Sequence, residues 1–186
     1  MRVGPRARTA MLSRIRLLRP NSAQAMSASQ YLTFRIDQEV YAIDVAHARE
    51  VIEVSALTPM PKAPAWIRGV VNLRGSVLPV IDLRRRFGMG DSALGKRASV
   101  VVVELAQGQD TLQVGVLVDS ALEVFEYGDQ EIEPPPKFGA RFSRSYLRGV
   151  GRRNQYIFFI LIADKVFTDQ DVALNGSDQP KEAAHG

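Results

Sequence analysis

The side chains that could carry out chemistry in this chain are few. Three aspartates, Asp44, Asp82 and Asp119, stand at the ends of apolar segments, where paired carboxylates could act in general acid–base catalysis. They belong to separate segments, and nothing in the sequence gives them a reason to converge. Two histidines, His47 and His185, and no cysteine leave almost nothing for a triad or a zinc site. We predict no catalytic residue, no metal site and no cofactor.

One arginine is placed as a contact residue would be. Residues 66–83, WIRGVVNLRGSVLPVIDL, consist of two apolar runs that meet at the polar turn Arg74-Gly75-Ser76. Glycine tolerates the positive φ that tight turns require, so the pattern predicts a β-hairpin. Arg74 would then lie exposed on a rigid support, where contact residues are common. The alternative is an ordinary hairpin with a solvated arginine.

Composition is typical of a soluble globular protein. The 186 residues are 46% hydrophobic and 24% charged, enough for one compact domain or two small ones. Residues 1–30 contain six arginines and no acid, so the remaining 18 basic and 20 acidic residues give a net charge of −2. This near-neutral body argues against a general nucleic-acid binder, which carries a basic face on its folded part. No apolar run is long enough for a membrane helix.

The two ends of the chain differ from its body. The basic leader, residues 1–30, is Arg-rich and acid-poor like an organelle transit peptide, or it is a disordered tail that touches acidic surfaces. A third interpretation, which we favour, is that Met26 is the true start, because a convincing strand pattern begins five residues later. Residues 169–186 are polar, and we expect them to be disordered.

The body between these ends is mostly β in pattern. Strands are predicted at residues 31–36, 40–45, 99–105, 112–118 and 156–162, in addition to the hairpin. Short helical segments are expected at residues 46–51, at residues 83–87 and after Asp119, which would cap residues 120–127.

The two halves of the body repeat each other. Residues 41–61 align without a gap with residues 114–134, and residues 67–87 align with residues 147–167. Each unit has the order strand, strand, short helix, loop, strand, hairpin, strand. The repeat predicts an all-β fold of two pseudo-repeated five-stranded barrels with short connecting helices, since closed barrels leave no exposed edge. Chance similarity between β-rich segments is the alternative.

The hairpin also carries a family resemblance. The segment IRGVVNLRG followed by VLPVIDLR and Phe87 resembles the signature of the CheW family of chemotaxis coupling proteins. The resemblance covers residues 31–168 and implies two intertwined SH3-like subdomains, at about residues 31–90 and 97–168. It implies a non-catalytic, cytoplasmic adaptor that couples chemoreceptors (methyl-accepting chemotaxis proteins) to the regulatory domain of a CheA-type histidine kinase, with other CheW-like proteins as further partners in rings. Contact with the membrane would be indirect, through the receptors.

The resemblance also implies contact residues. On the receptor side they are Ala48, Gly69, Asn72, Arg74 and Gly75, and on the kinase side Glu50, Val51 and Glu123. Gly69 would let a receptor helix approach closely because it has no Cβ, although a bend at the entry to a strand explains it equally well. The two glutamates have the alternative of being solvated surface charges.

A small nucleic-acid-binding barrel is the alternative function. It would need exposed aromatic residues on a basic sheet face, whereas the tyrosines and phenylalanines of this chain alternate with aliphatic residues as core residues do.

Overall fold

Ten strands, two four-residue α-helices and two 3-10 turns make up the part of the chain that the computed structural model describes, which is residues 27–54, 56–91, 94–107, 109–137 and 144–167. The strands are β1 (Ala28–Ile36), β2 (Glu39–Asp44), β3 (Ala48–Glu53), β4 (Ile67–Leu73), β5 (Ser76–Asp82), β6 (Ser99–Gln107), β7 (Asp110–Val118), β8 (Ser120–Gly128), β9 (Leu147–Arg153) and β10 (Tyr156–Leu161). Helix α1 is Leu83–Arg86, helix α2 is Ala163–Val166, and the 3-10 turns are Asp129–Glu131 and Arg144–Tyr146.

The strands form two five-stranded sheets of identical plan. The first sheet has the order β8-β1-β2-β10-β9 and the second sheet the order β3-β6-β7-β5-β4. Each sheet therefore takes three strands from one half of the sequence and two from the other. The fold class predicted from the sequence, all-β with two pseudo-repeated five-stranded units, is confirmed.

The boundaries predicted for the two units are wrong. The first sheet is built from residues 28–44 and 120–161, and the second from residues 48–118, instead of residues 31–90 and 97–168. Strands β1 and β2 join the sheet of the second half, because β2 pairs in parallel with β10. Strands β6 and β7 join the sheet of the first half, because β7 pairs in parallel with β5. Residues 28–30, assigned to the leader, belong to β1; residues 1–26 and 168–186 lie outside the described residues.

Strand pairing reproduces the register of the sequence repeat. Val80 lies opposite Gly115 in the second sheet, and Ile160 lies opposite Ala42 in the first, which are equivalent pairs in the alignment. The gap-free block ends earlier than predicted, however. Thr58 bridges Val70, and Glu133 bridges the equivalent Val150. Thr58 and Glu133 are therefore equivalent and lie 75 positions apart, whereas the gap-free alignment predicts an offset of 73.

Two of the predicted helical segments are strands. Residues 48–53 form β3 and residues 120–128 form β8, which pair with β6 and β1 respectively. Their β-branched and aromatic side chains suit a half-buried sheet, and pairing across the sequence repeat outweighs the weak local preference. Asp119 consequently caps no helix. The predicted helical turn at residues 83–87 is confirmed as α1.

Three apolar cores hold the sheets together. One lies within each sheet unit, and the third and largest lies between the two units. Strand β6, a continuous apolar run, contributes side chains to two of these cores. Val100 and Val102 face the core of the second sheet, while Val101 and Val103 face the central core. Burial on both faces is why this strand lacks polar alternation.

Phe87 tests the central core. Its ring is 4% exposed and lies 5.7 Å from the ring of Tyr41, which belongs to the other sheet. We expect Phe87→Ala to lower the free energy of unfolding by about 3–5 kcal/mol, because it opens a cavity between the sheets. Urea denaturation measures the change. The matched control is Val77→Ala, at a side chain 62% exposed, which should cost about 0.5 kcal/mol or less. Equal costs would contradict the placement of Phe87.

Candidate functional site

The β4–β5 hairpin ends in a two-residue turn that is built to be rigid. Leu73 pairs with Ser76, and the intervening Arg74 and Gly75 have φ values of 53° and 92°. Positive φ at both central positions matches the twist of the flanking strands. The side-chain oxygen of Asn72 accepts a hydrogen bond from the backbone N–H of Gly75 at 2.9 Å. Asn72 and Gly75 therefore shape the turn that carries Arg74.

Arg74 projects from this turn. Its side chain is 75% exposed, and one guanidinium nitrogen donates to a carboxylate oxygen of Glu50 at 3.0 Å. Glu50 lies on β3 and Arg74 follows β4, so the ion pair joins the two edge strands of the second sheet. An exposed pair of this kind adds little stability, but it directs the guanidinium and leaves it open to a partner.

Ala48 and Val51 lie behind this surface. Ala48 is 7% exposed and belongs to the central core, and Val51 is half-buried against the same core. Their side chains therefore pack between the sheets. Of the predicted contact residues, the structure brings together Arg74, Glu50, Asn72 and Gly75.

Gly69 lies at the far end of the hairpin, and its close contact is with its own chain. It is buried at a bulge in β4 with φ of 148°, and a Cβ there would lie 2.4 Å from the carbonyl oxygen of Thr58. Thr58 and Val70 exchange two backbone hydrogen bonds of 2.8 and 2.9 Å across this contact. Gly149, its equivalent in the repeat, has the same relation to Glu133. The absence of a Cβ thus lets the Thr58 loop cross Gly69 closely, and the contact of Gly69 with a receptor helix stays a prediction.

Glu123 occupies the position equivalent to Glu50, in the first sheet. It accepts a hydrogen bond from the hydroxyl of Tyr156 at 2.7 Å and lies 3.6 Å from Arg153. Burial, reinforced by Glu123, raises the pKa of Tyr156 to about 12. The guanidinium of Arg153 lies over the ring of Phe125, 4.2 Å from its centroid. The arginine beside Glu123 is thus packed against an aromatic ring, whereas the arginine beside Glu50 is 75% exposed.

A shallow depression lies beside Glu123. Its volume is about 630 Å³, and its apolar lining includes Leu122, Tyr156 and Ile157. Ile157 is 47% exposed. Neither this depression nor the arginine that lies over Phe125 was predicted, because both depend on which strands become neighbours.

A second ion pair on the second sheet was also not predicted. Arg49 on β3 binds Glu104 on β6, and Gln113 donates to the same carboxylate at 3.1 Å. The hydrogen bond from Arg49, followed by that from Gln113, holds the pKa of Glu104 below its usual value. The guanidinium of Arg49 keeps its proton more firmly for the same reason, since the bond to Glu104 raises its pKa.

The three aspartates considered for catalysis each bind backbone N–H groups. Asp44 accepts from Ala46 at 2.8 Å, Asp119 accepts from Asp37 at 2.6 Å, and the fully buried Asp82 caps α1. Within the described ranges, no group of three or more acidic or histidine side chains is arranged to hold a metal ion. A nucleic-acid stacking platform requires exposed aromatic residues. Every aromatic residue in the described ranges is buried or half-buried.

Comparison with known proteins identifies the family. The CheW-like domain family matches residues 30–171. The chain belongs to the CheW family. The chemotaxis protein CheW of Rhizobium meliloti (strain 1021) is 31% identical over 142 residues, which is 76% of this chain and 89% of that protein. The FrzA protein of Myxococcus xanthus is 31% identical over 129 residues, covering 69% of this chain and 78% of its own length.

A solved structure agrees with this membership. The crystal structure of the scaffolding protein TtCheW from Thermoanaerobacter tengcongensis superimposes with a TM-score of 0.69 at 28% identity, covering 81% of this chain and 94% of that one. This chain is accordingly a CheW-family chemotaxis scaffold protein. Among its described residues, no helix has the length and apolar character needed to cross a membrane.

Gly69 provides a test of the site's framework. We expect Gly69→Ala to destabilise the fold by about 2 kcal/mol or more, because the added Cβ meets a backbone carbonyl and φ is unfavourable for alanine. Chemical denaturation measures the loss. Gly95→Ala, at a glycine with open space around it, is the control and should change stability by about 0.5 kcal/mol or less. A Gly69→Ala variant as stable as the control would contradict the packing against Thr58.

Proposed function

We propose that this CheW-family scaffold protein couples the cytoplasmic tips of chemoreceptors to a CheA-type histidine kinase. The observation that carries the proposal is Arg74, 75% exposed on a rigid two-residue turn and directed by Glu50. A guanidinium presented in this way offers several fixed donors to carboxylates or helix-end carbonyls on a receptor. No catalytic step is involved. Holding two partners at once raises their effective concentration for each other.

The receptor surface is centred on the hairpin. Arg74 makes the direct contact, Glu50 orients it, and Asn72 and Gly75 fix the turn beneath it. Ala48 and Gly69, with Val51 from the predicted kinase set, support this surface from the interior through packing. We therefore assign Glu50 to the receptor surface instead of the kinase side predicted from the sequence, because it forms an ion pair with Arg74.

The kinase surface is proposed at the first sheet. Glu123 and the half-exposed Ile157 lie there, beside the apolar depression. An apolar patch with a charged margin is what a protein partner buries. The regulatory domain of a CheA-type kinase has the same fold as this chain. Other CheW-like proteins could therefore take its place at this surface when the proteins assemble into rings. The protein would act in the cytoplasm and reach the membrane only through receptors.

The role of Arg74 has a direct test. We expect Arg74→Ala to weaken binding to receptor-bearing membranes about tenfold or more, measured by quantitative co-sedimentation. Its free energy of unfolding should change by less than about 1 kcal/mol, because the pair with Glu50 is exposed. Arg97→Ala, at another exposed arginine, is the charge-matched control and should bind as the native chain does. Native-like binding and kinase activation by Arg74→Ala would remove Arg74 from the receptor surface.

A further inference from the structure

Helix α1 lies where the two sheets meet. It follows β5 of the second sheet, and its residue Arg84 reaches two acids that lie at the ends of strands of the first sheet. The guanidinium lies 3.8 Å from a carboxylate oxygen of Asp37, in the β1–β2 turn, and 3.6 Å from one of Asp119, the single residue between β7 and β8. Arg84 is 22% exposed, so this contact is more sheltered than a typical surface ion pair.

Asp119 makes the contact a link between the sheets. The chain passes from the second sheet to the first through this one residue. Its carboxylate accepts the backbone N–H of Asp37 at 2.6 Å, and its own N–H donates to the carbonyl of Arg35 at 3.0 Å. The β1–β2 turn, the crossover and Arg84 are thus joined at one carboxylate.

Arg84 is itself held in place from the interior. A four-residue helix has little stability of its own. The fully buried Asp82 caps it, accepting the N–H groups of Arg84 and Arg85 at 3.0 and 3.3 Å. Phe87, at the end of the helix, is anchored in the central core. These two anchors fix the direction from which Arg84 reaches the first sheet.

The arrangement occurs on one side of the pseudo-symmetric molecule. In α2, the repeat equivalent of α1, Asp164 stands at the position of Arg84 and Ile162 at that of Asp82. Helix α2 accordingly lacks a side-chain cap. Both short helices pack into the central core between the sheets. The arginine and the capping aspartate occur in α1 and not in α2. A difference between repeats that otherwise share strand order and register indicates a role beyond forming the fold.

We propose that Arg84 is a positioning residue, which fixes the orientation of the first sheet relative to the second through Asp37 and Asp119. Resting on the function proposed above, this orientation sets the geometry between the receptor surface at Arg74 and the kinase surface at Glu123. Arg84 is not part of the lining of the depression, although the β1–β2 turn that it binds borders the depression through Arg35, Gln38 and Glu39. Its proposed action is on the relation between the two surfaces.

Residual dipolar couplings on the full-length chain test the orientation. In the native chain, amides of both sheets should fit one alignment tensor. Arg84→Gln should require two tensors and should speed exchange of the Asp37 amide about tenfold, while the melting temperature stays within a few degrees. Arg84→Lys, which keeps one charge, should be intermediate. Arg97→Gln is the matched control. A single tensor and native Asp37 exchange in Arg84→Gln would overturn the proposal.

A reconstituted assay separates this inference from the function on which it rests. Receptor-bearing membranes and a CheA-type kinase are combined with each variant. We expect Arg84→Gln to bind each partner alone within about twofold of native, yet to lower kinase activation roughly fivefold. If the native chain fails to activate, the proposed function fails. If the native chain activates and Arg84→Gln matches it, the coupling role of Arg84 fails.

Discussion

The apolar core between the two sheets holds the two halves of this fold together. It is formed by inward faces of strands from both sheets together with both short helices. Because each sheet borrows two strands from the other half of the sequence, neither sheet can form without the chain that builds its neighbour. Burial on both faces of the central strands then joins the sheets, since apolar area removed from water is the main favourable term in folding. The two units are therefore expected to unfold together, while the contacts of Arg84 are proposed to set the orientation of one sheet relative to the other.

This rigidity is what an adaptor requires. Arg74 lies in the turn of one short hairpin and Ile157 on a strand of another, and both hairpins bury side chains in the cores. Their side chains can meet partners without ordering a loop, which lowers the entropic cost of association. The pseudo-repeat gives two equivalent surfaces, and the sequence differentiates them: the second sheet presents a projecting arginine, and the first presents an apolar depression.

Local pattern predicted much of this structure, and pairing across the chain explains what it missed. The hairpin with Arg74 at its tip follows from two apolar runs and a glycine. The repeat predicted two equivalent five-stranded units. The segments at residues 48–53 and 120–128 were expected to be helical, because the pairing with distant β6 and β1 that makes them strands is not visible in the local pattern. The same reason hid the ion pairs of Arg84, whose partners Asp37 and Asp119 are remote in sequence. The close contact of Gly69 with Thr58 was not predicted, because Thr58 lies in a loop whose path the local pattern does not specify.

The proposed coupling requires that one molecule binds receptor and kinase at the same time through separate surfaces. Co-sedimentation of a CheA-type kinase with receptor-bearing membranes, titrated with this protein, measures this bridging. The amount of kinase in the pellet should rise with added protein and fall again at large excess, when each partner is occupied by a different molecule. Kinase recovery that does not depend on this protein would show that it does not bridge the two partners.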